Sequence, residues 1–148
     1  NKRYLKFTIV GTIESGLYEY LQPYISNGQV TFISQVPQKE LPKIYQDADI
    51  FFFPSHEEGL GLVLLQAMAS GLCIIASENS GFGSFANGEN GYICNLTEYE
   101  TIVKIFDKLY NNELLLLKHS KNTRNTVINN YSWEEYINRS LIFYKKIN

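Results

Sequence analysis

Short apolar runs, each closed by a glycine, a proline or a polar turn, recur along the first two thirds of the chain. "LKFTIVG" ends at Gly11, "QVTFI" is rich in β-branched and aromatic residues, and "DIFFFPS" is apolar on both faces until Pro54 stops it. "LCIIAS" and "GYICNL" repeat the pattern. Continuous apolar runs, in place of strict apolar–polar alternation, are what strands of a parallel sheet covered on both faces require. Between them lie stretches at helical spacing: Leu17, Tyr20, Leu21 and Tyr24, then Leu41, Ile44, Tyr45 and Ala48, then Leu62, Leu65 and Ala69 closed by Gly71. The order β-α-β-α-β-α-β-β predicts right-handed crossovers and an α/β fold built on a doubly wound parallel sheet.

After Leu96 no strand-like run follows, and the pattern predicts three helices with breaks near Asn111 and Tyr131. Ser132 fits an N-cap, and Glu135 three residues on completes a capping box. The helix it starts carries two apolar stripes, Trp133, Ile137, Leu141 and Tyr144 on one and Tyr136, Phe143 and Ile147 on the other. Together they exceed the face of roughly 100° that a surface helix buries. One stripe should pack on the domain and the second should stay uncovered, so that the helix self-associates or remains mobile at its end.

At 148 residues with 45% hydrophobic content the chain can bury one ordinary core, so residues 1–148 read as a single domain. A formal charge of −2 without a basic cluster disfavours nucleic acid and anionic lipid as partners. No apolar run approaches the roughly 18 residues of a membrane span, and no secretory signal is evident. Cys73 and Cys94 sit inside apolar runs without metal-site or redox spacing, read as buried small hydrophobes, and suit a reducing cytosol. No metal site is expected.

The stretch "PSHEEGLGLVLLQAMASG", residues 54 to 71, holds more than a helix start needs. In a doubly wound sheet, ligands bind outside the carboxyl ends of strands, where loops enter helices. The helix is expected to begin near Gly59 to Gly61, and its first turn offers unpaired N–H groups and the positive end of the dipole to an anion. Glycine at 59 and 61 lets a phosphate approach the backbone. Leu62 and Val63 could donate their amides to the same anion while their side chains face the core. Glu58 would repel a phosphate but can accept hydrogen bonds from sugar hydroxyls. Gln66, eight positions after Glu58, offers a second group for hydroxyls on the same side of the helix start. Sugar, phosphate and ribose in a row describe a nucleotide sugar. The plainer alternative is that Glu57 and Glu58 favour a helix N-terminus and that Gln66 is solvated.

The same stretch resembles the donor-binding signature of the retaining GT-B glycosyltransferases of family 4, the "group 1" transferases, whose pattern is a glutamate, seven residues and a second glutamate. "FTIVG" resembles that family's strand and glycine turn, "VTFISQVPQKELPKIYQDADIFFFPS" its base-binding loop and next strand, "GENGYIC" an asparagine-glycine strand start, and "YSWEEY" the start of its last helix. The resemblance implies a Rossmann-like C-terminal lobe of a two-lobed enzyme that takes a nucleoside-diphosphate sugar as donor substrate and needs no further cofactor. It assigns Glu58 to the donor-sugar hydroxyls, and Gly59, Leu60 and Gly61 to backbone contacts with sugar or phosphates. Leu62 and Val63 would serve the diphosphate, Gln66 the ribose, and the backbone around Gln35 and Val36 the base. A plain surface turn is the other reading of Gln35 and Val36.

Three departures from the family pattern matter. Gln66 stands where the second glutamate is usual, which exchanges a charge-assisted hydrogen bond for a neutral one. "SGFGSF" lacks the glutamate that commonly follows the paired glycines, so Gly81 and Gly83 carry over only loosely and a flexible loop is as good a reading. The chain starts at what resembles the second strand of the lobe, without the basic residues that clamp the diphosphate. The acceptor lobe is absent as well, so the chain reads as part of a longer transferase that would not turn over alone. Its place is cytoplasmic, at the inner membrane face if the missing lobe provides the contact. His56 reads as a solvated loop residue, His119 as a surface residue, and no residue stands out as nucleophile. A non-catalytic nucleotide-sugar binding module, or an epimerase or starch-type synthase on the same fold, is the alternative.

Overall fold

The computed structural model describes residues 4–59, 61–86 and 88–147; the site residue Leu60 and the side chain of Ile147 lie outside the described set. The chain forms two compact units, one running to Leu41 and one from Pro42.

In the first unit, β1 (Phe7–Val10) and β2 (Val30–Ile33) pair in parallel with Phe7 opposite Val30 and Val10 opposite Ile33. The α1 helix (Ser15–Ser26) makes the crossover. It closes on a Schellman-type cap: left-handed Gly28 (φ 77°) donates to Ile25 O at 3.1 Å and Gln29 N donates to Tyr24 O at 2.9 Å. The predicted stripe does not form a core. Leu17, Tyr20 and Tyr24 are exposed, and Tyr18, exposed as well, lies edge-on to Phe32 at 6.3 Å, while Leu21 and Ile25 are half-buried. "LYEYLQPYI" is apolar on too many sides for spacing alone to choose the inward one.

The second unit opens in α2 (Leu41–Gln46) and holds a three-stranded parallel sheet in the order β3 (Ile50–Phe53), β4 (Cys73–Ser77), β5 (Gly91–Cys94). Every residue of the central β4 is buried. On one face Cys73 and Ile75 join Cys94 and the inward residues Ile105 and Leu109 of α4 (Tyr99–Tyr110), and Phe52 meets Phe106 edge-on. The opposite face is covered by α3 (Leu62–Ala69) and α5 (Glu113–Asn130), through buried Leu64, Ala67, Met68, Thr123 and Val127. Helices on both faces of parallel strands make the expected Rossmann-like α/β fold, with the strands in two described sheets.

The buried face of α3 is Leu64, Ala67 and Met68, while Leu62 is 69% exposed, so neither the Leu62 to Ala69 stripe nor the inward Leu62 side chain is observed. "LVLLQAMA" is apolar nearly all round, and its rotation is set by where the loop delivers it. Gly71 ends α3 as expected: it is left-handed at φ 82° and donates to Met68 O, while Leu72 N donates to Ala67 O. His119 is not a surface residue. It is 3% exposed, with Nδ1 2.7 Å from Glu89 O and its ring edge-on to Tyr92. It shares the inward face of α5 with Leu116, Thr123 and Val127 at spacings of three and four, a register hidden by the polar residues between them.

The last helix, α6 (Trp133–Ile147), starts at the expected place, with Glu135 N donating to Ser132 Oγ at 3.2 Å. No reciprocal bond from Glu135 to the Ser132 amide is seen among the described residues; its carboxylate faces Arg139 at 3.7 Å. Both apolar stripes stand outward, from Trp133 at 80% exposure to Tyr136, Ile137, Leu141, Phe143 and Tyr144. The expectation that one stripe packs on the domain is not met.

Candidate functional site

The "PSHEEGLG" loop leaves the carboxyl end of β3. Pro54 lacks an N–H and ends the strand; the chain then bends through 55–59 and enters α3 at Gly61. Gly61 is the N-cap, in the left-handed region at φ 58°. A Cβ there would lie 3.4 Å from Glu58 Cγ, 3.5 Å from Leu64 Cδ1 and 3.6 Å from Phe53 Cε1. The Glu58 side chain therefore lies against the cap of α3. Glu58 is exposed, and its carboxylate takes no hydrogen bond or ion pair among the described residues. The helix starts at Leu62, slightly later than predicted, and Leu64 N is the first of its amides seen to bond, to Gly61 O at 2.9 Å. The Leu62 and Val63 amides face no acceptor among the described residues, as the start of a helix requires. Gly59 has an ordinary φ and open space around it, so it supplies room and not a special turn. His56 and Glu57 are exposed.

Gln66 lies one turn inside α3, on the side of the exposed Leu62. It is half-buried, and its Oε1 is enclosed without a hydrogen-bond partner among the described residues. An amide oxygen in that state carries an unmet demand for a donor.

Serines that composition and spacing did not single out hold the loop. Ser77, the last residue of β4, donates its hydroxyl to Ser55 O. Ser80 Oγ donates to Ser77 O at 2.6 Å and accepts from Phe82 N, capping a short 3-10 turn over Gly81–Ser84 that buries Phe82. Residues 81 to 84 are thus ordered by a buried phenylalanine and not a plain loop. Glu58 N donates to Asn79 O at 3.3 Å. A serine closing an otherwise apolar buried strand is the trace of this arrangement in the sequence.

In the first unit, Gln35 lines a groove of about 380 Å³ with Gly11, Thr12, Ile13, Phe32 and Ser34. Apart from Phe32, which lies in β2, these residues leave β1 and β2 at their carboxyl ends. Val36 is half-buried and is not part of that wall. Gly11, left-handed at φ 135°, donates to Ile33 O at 3.0 Å and so extends the β1–β2 ladder by one rung before the chain turns away.

No group of three or more metal-ligating side chains occurs among the described residues, and none of their helices is long and apolar enough to cross a membrane. Parallel strands whose loops lead into helices, one loop carrying an exposed carboxylate without a partner among the described residues, define the class: a Rossmann-like α/β lobe. The chain belongs to the glycosyl transferases group 1 family, whose model matches residues 1–127. It is 29% identical over 143 residues to the capsular polysaccharide biosynthesis glycosyltransferase CapM of Staphylococcus aureus, covering 88% of this chain and 36% of that protein. An uncharacterized glycosyltransferase of Haemophilus influenzae is 34% identical over 122 residues, covering 81% of this chain and 34% of its own length. The chain thus spans about a third of these relatives. Among solved structures, sucrose-phosphate synthase of Thermosynechococcus elongatus superposes with a TM-score of 0.81 at 23% identity, over 95% of this chain and 38% of that one. HepE of Anabaena in complex with UDP gives 0.82 at 16% identity, over 97% and 41%. The C-terminal domain of a group 1 glycosyl transferase, LpcC of Francisella tularensis, gives 0.74 at 21% identity, over 88% and 87%.

Proposed function

We propose that this chain is the donor-binding C-terminal lobe of a retaining glycosyltransferase. In the longer protein, that enzyme moves a sugar from a nucleoside-diphosphate sugar to a glycan or lipid acceptor in bacterial polysaccharide synthesis, without a metal or other cofactor. The observation that carries the reading is the exposed Glu58 carboxylate, without a partner among the described residues, lying against left-handed Gly61 at the open amide end of α3. An anion on those amides and a hydroxyl-bearing group on the carboxylate are what one ligand, a sugar joined to a diphosphate, brings together. In this assignment Glu58 accepts from donor-sugar hydroxyls, and Gly59, Leu60 and Gly61 present backbone to the sugar and phosphates. Leu62 and Val63 donate amides to the diphosphate, and Gln66 Oε1 accepts from the ribose. The backbone around Gln35 and Val36 is assigned to the base. The extent of the match to a separately crystallised C-terminal domain, LpcC, favours the C-terminal position, and UDP and UDP-glucose bound to HepE favour the ligand class. The acceptor lobe, and any contact with the inner face of the cytoplasmic membrane, belong to the rest of the protein.

Titration of UDP-glucose, GDP-mannose and ADP-glucose into the 15N-labelled chain tests this. One of them should shift the amides of Gly59, Gly61, Leu62 and Val63, with an affinity in the high micromolar to millimolar range because one lobe of the cleft is missing. Glu58→Gln should reduce the shift for the sugar nucleotide and leave that for the free diphosphate. Shifts confined to another surface would overturn the assignment.

A further inference from the structure

The loop that carries Glu58 is anchored mainly from the neighbouring strand. Among the described residues two hydrogen bonds join the segment 54–61 to the segment 77–84: Ser77 Oγ to Ser55 O, and Glu58 N to Asn79 O. They differ in setting. Glu58 is an exposed residue, whereas Ser77 is 1% exposed and donates from inside the sheet. The register explains why a side chain is used. Phe53 pairs with Ala76, and one residue further on β3 has ended at Pro54, so the ladder has no backbone partner for the departing chain. The Ser77 hydroxyl supplies one more rung and catches the carbonyl of Ser55 as the loop turns away. Ser77 is itself held, since its own carbonyl accepts from Ser80 Oγ at 2.6 Å. The α3 helix needs no such tie, because Leu64, Ala67 and Met68 are fully buried and seat it on the sheet.

We infer that Ser77 is a positioning residue for the donor sugar: its hydroxyl fixes the loop so that the Glu58 carboxylate meets the sugar hydroxyls, while the amides of α3 hold the diphosphate independently of it. This rests on the donor-binding reading above. It separates two parts of donor affinity that a general loss of structure would reduce together. Removing the hydroxyl leaves the Ser55 carbonyl without its buried donor and frees residues 55–58, so the sugar-dependent part falls and the diphosphate part stays.

The test is a set of calorimetric titrations of the intact protein with three pairs, UDP-glucose and UDP, GDP-mannose and GDP, and ADP-glucose and ADP. The pair that binds most tightly is then carried through Ser77→Ala, Ser77→Thr and Glu58→Gln. Wild type should bind the sugar nucleotide more tightly than the diphosphate, and Glu58→Gln should bring the two together. Ser77→Ala should lose about tenfold for the sugar nucleotide, the size of one hydrogen bond to a charged group, and less than about twofold for the diphosphate. Ser77→Thr, which keeps the hydroxyl, should restore the wild-type ratio. If Ser77→Ala does not fold, Ser77→Cys, a weak donor, replaces it in the same comparison with threonine. A ratio that survives Ser77→Ala while collapsing in Glu58→Gln overturns the inference alone. Equal loss for both ligands also overturns it, in favour of a purely structural serine. If wild type shows no preference for the sugar nucleotide, or Glu58→Gln leaves the preference intact, the donor reading falls and the inference falls with it.

Discussion

Two glycines two positions apart in the same loop should respond to alanine with opposite sign. Gly61 caps α3 at φ 58°, where a Cβ meets the following carbonyl; that conformation costs a non-glycine residue roughly 1–2 kcal/mol. Packing adds little, because the new Cβ would sit at 3.4 Å from Glu58 Cγ and farther from its other neighbours, which is ordinary contact. Alanine also restricts the unfolded chain, and this returns about 0.4–1 kcal/mol. The net for Gly61→Ala is a loss of about 1 kcal/mol, or roughly 2–4 °C in Tm for a domain of this size. Gly59 has an ordinary φ and nothing within 4 Å of its would-be Cβ. Only the unfolded-state term remains there, so Gly59→Ala should be neutral or gain about 0.4–1 kcal/mol. Urea and thermal unfolding of the two variants beside wild type measure the difference. If Gly61→Ala is neutral or stabilising, or both changes move stability the same way, the left-handed cap is not what this loop requires.

Gly91→Ala should prevent folding of the second unit: at φ 147° its Cβ would fall 2.1 Å from Ile74 O, and expression as aggregate beside a soluble wild type is the expected result. Gln66→Glu places a carboxylate where Oε1 is already enclosed without a donor, so the free protein should lose about 1–3 kcal/mol and regain it on binding a sugar nucleotide. Unchanged stability, or a ligand-induced Tm shift no larger than in wild type, would refute the ribose assignment. Burial pushes the Cys73 thiol from its usual value near 9 up to about 12, so iodoacetamide at pH 8 should label it only after unfolding. The native state holds this proton more tightly. The thiol's contribution to stability is therefore complete below about pH 9 and is lost as pH rises from there toward 12. The outward stripes of α6 should make the isolated chain self-associate or leave residues 133–147 open to hydrogen exchange; a monomer in sedimentation with that helix protected would refute this.

The strands, their order and the three closing helices were legible because each rests on local chemistry: apolar runs ended by Pro54 or Gly11, left-handed Gly71 after α3, and Ser132 before α6. The loop at residues 54–61 was legible for the same reason, since two glycines and a carboxylate before a helix leave a record in the sequence. The inward faces of α1 and α3 were not, because a segment apolar on nearly every side contains no preferred rotation and the loops that deliver it decide. His119 shows the converse: a polar type on a polar-looking helix is buried because Glu89 O and the Tyr92 ring are placed to receive it. The partnership of Ser77 with Ser55 joins residues twenty-two apart, across two strands whose register only the assembled sheet sets. Which residues form elements was thus written in short-range pattern, and which atoms meet across those elements was decided by packing, where distance along the chain carries no information.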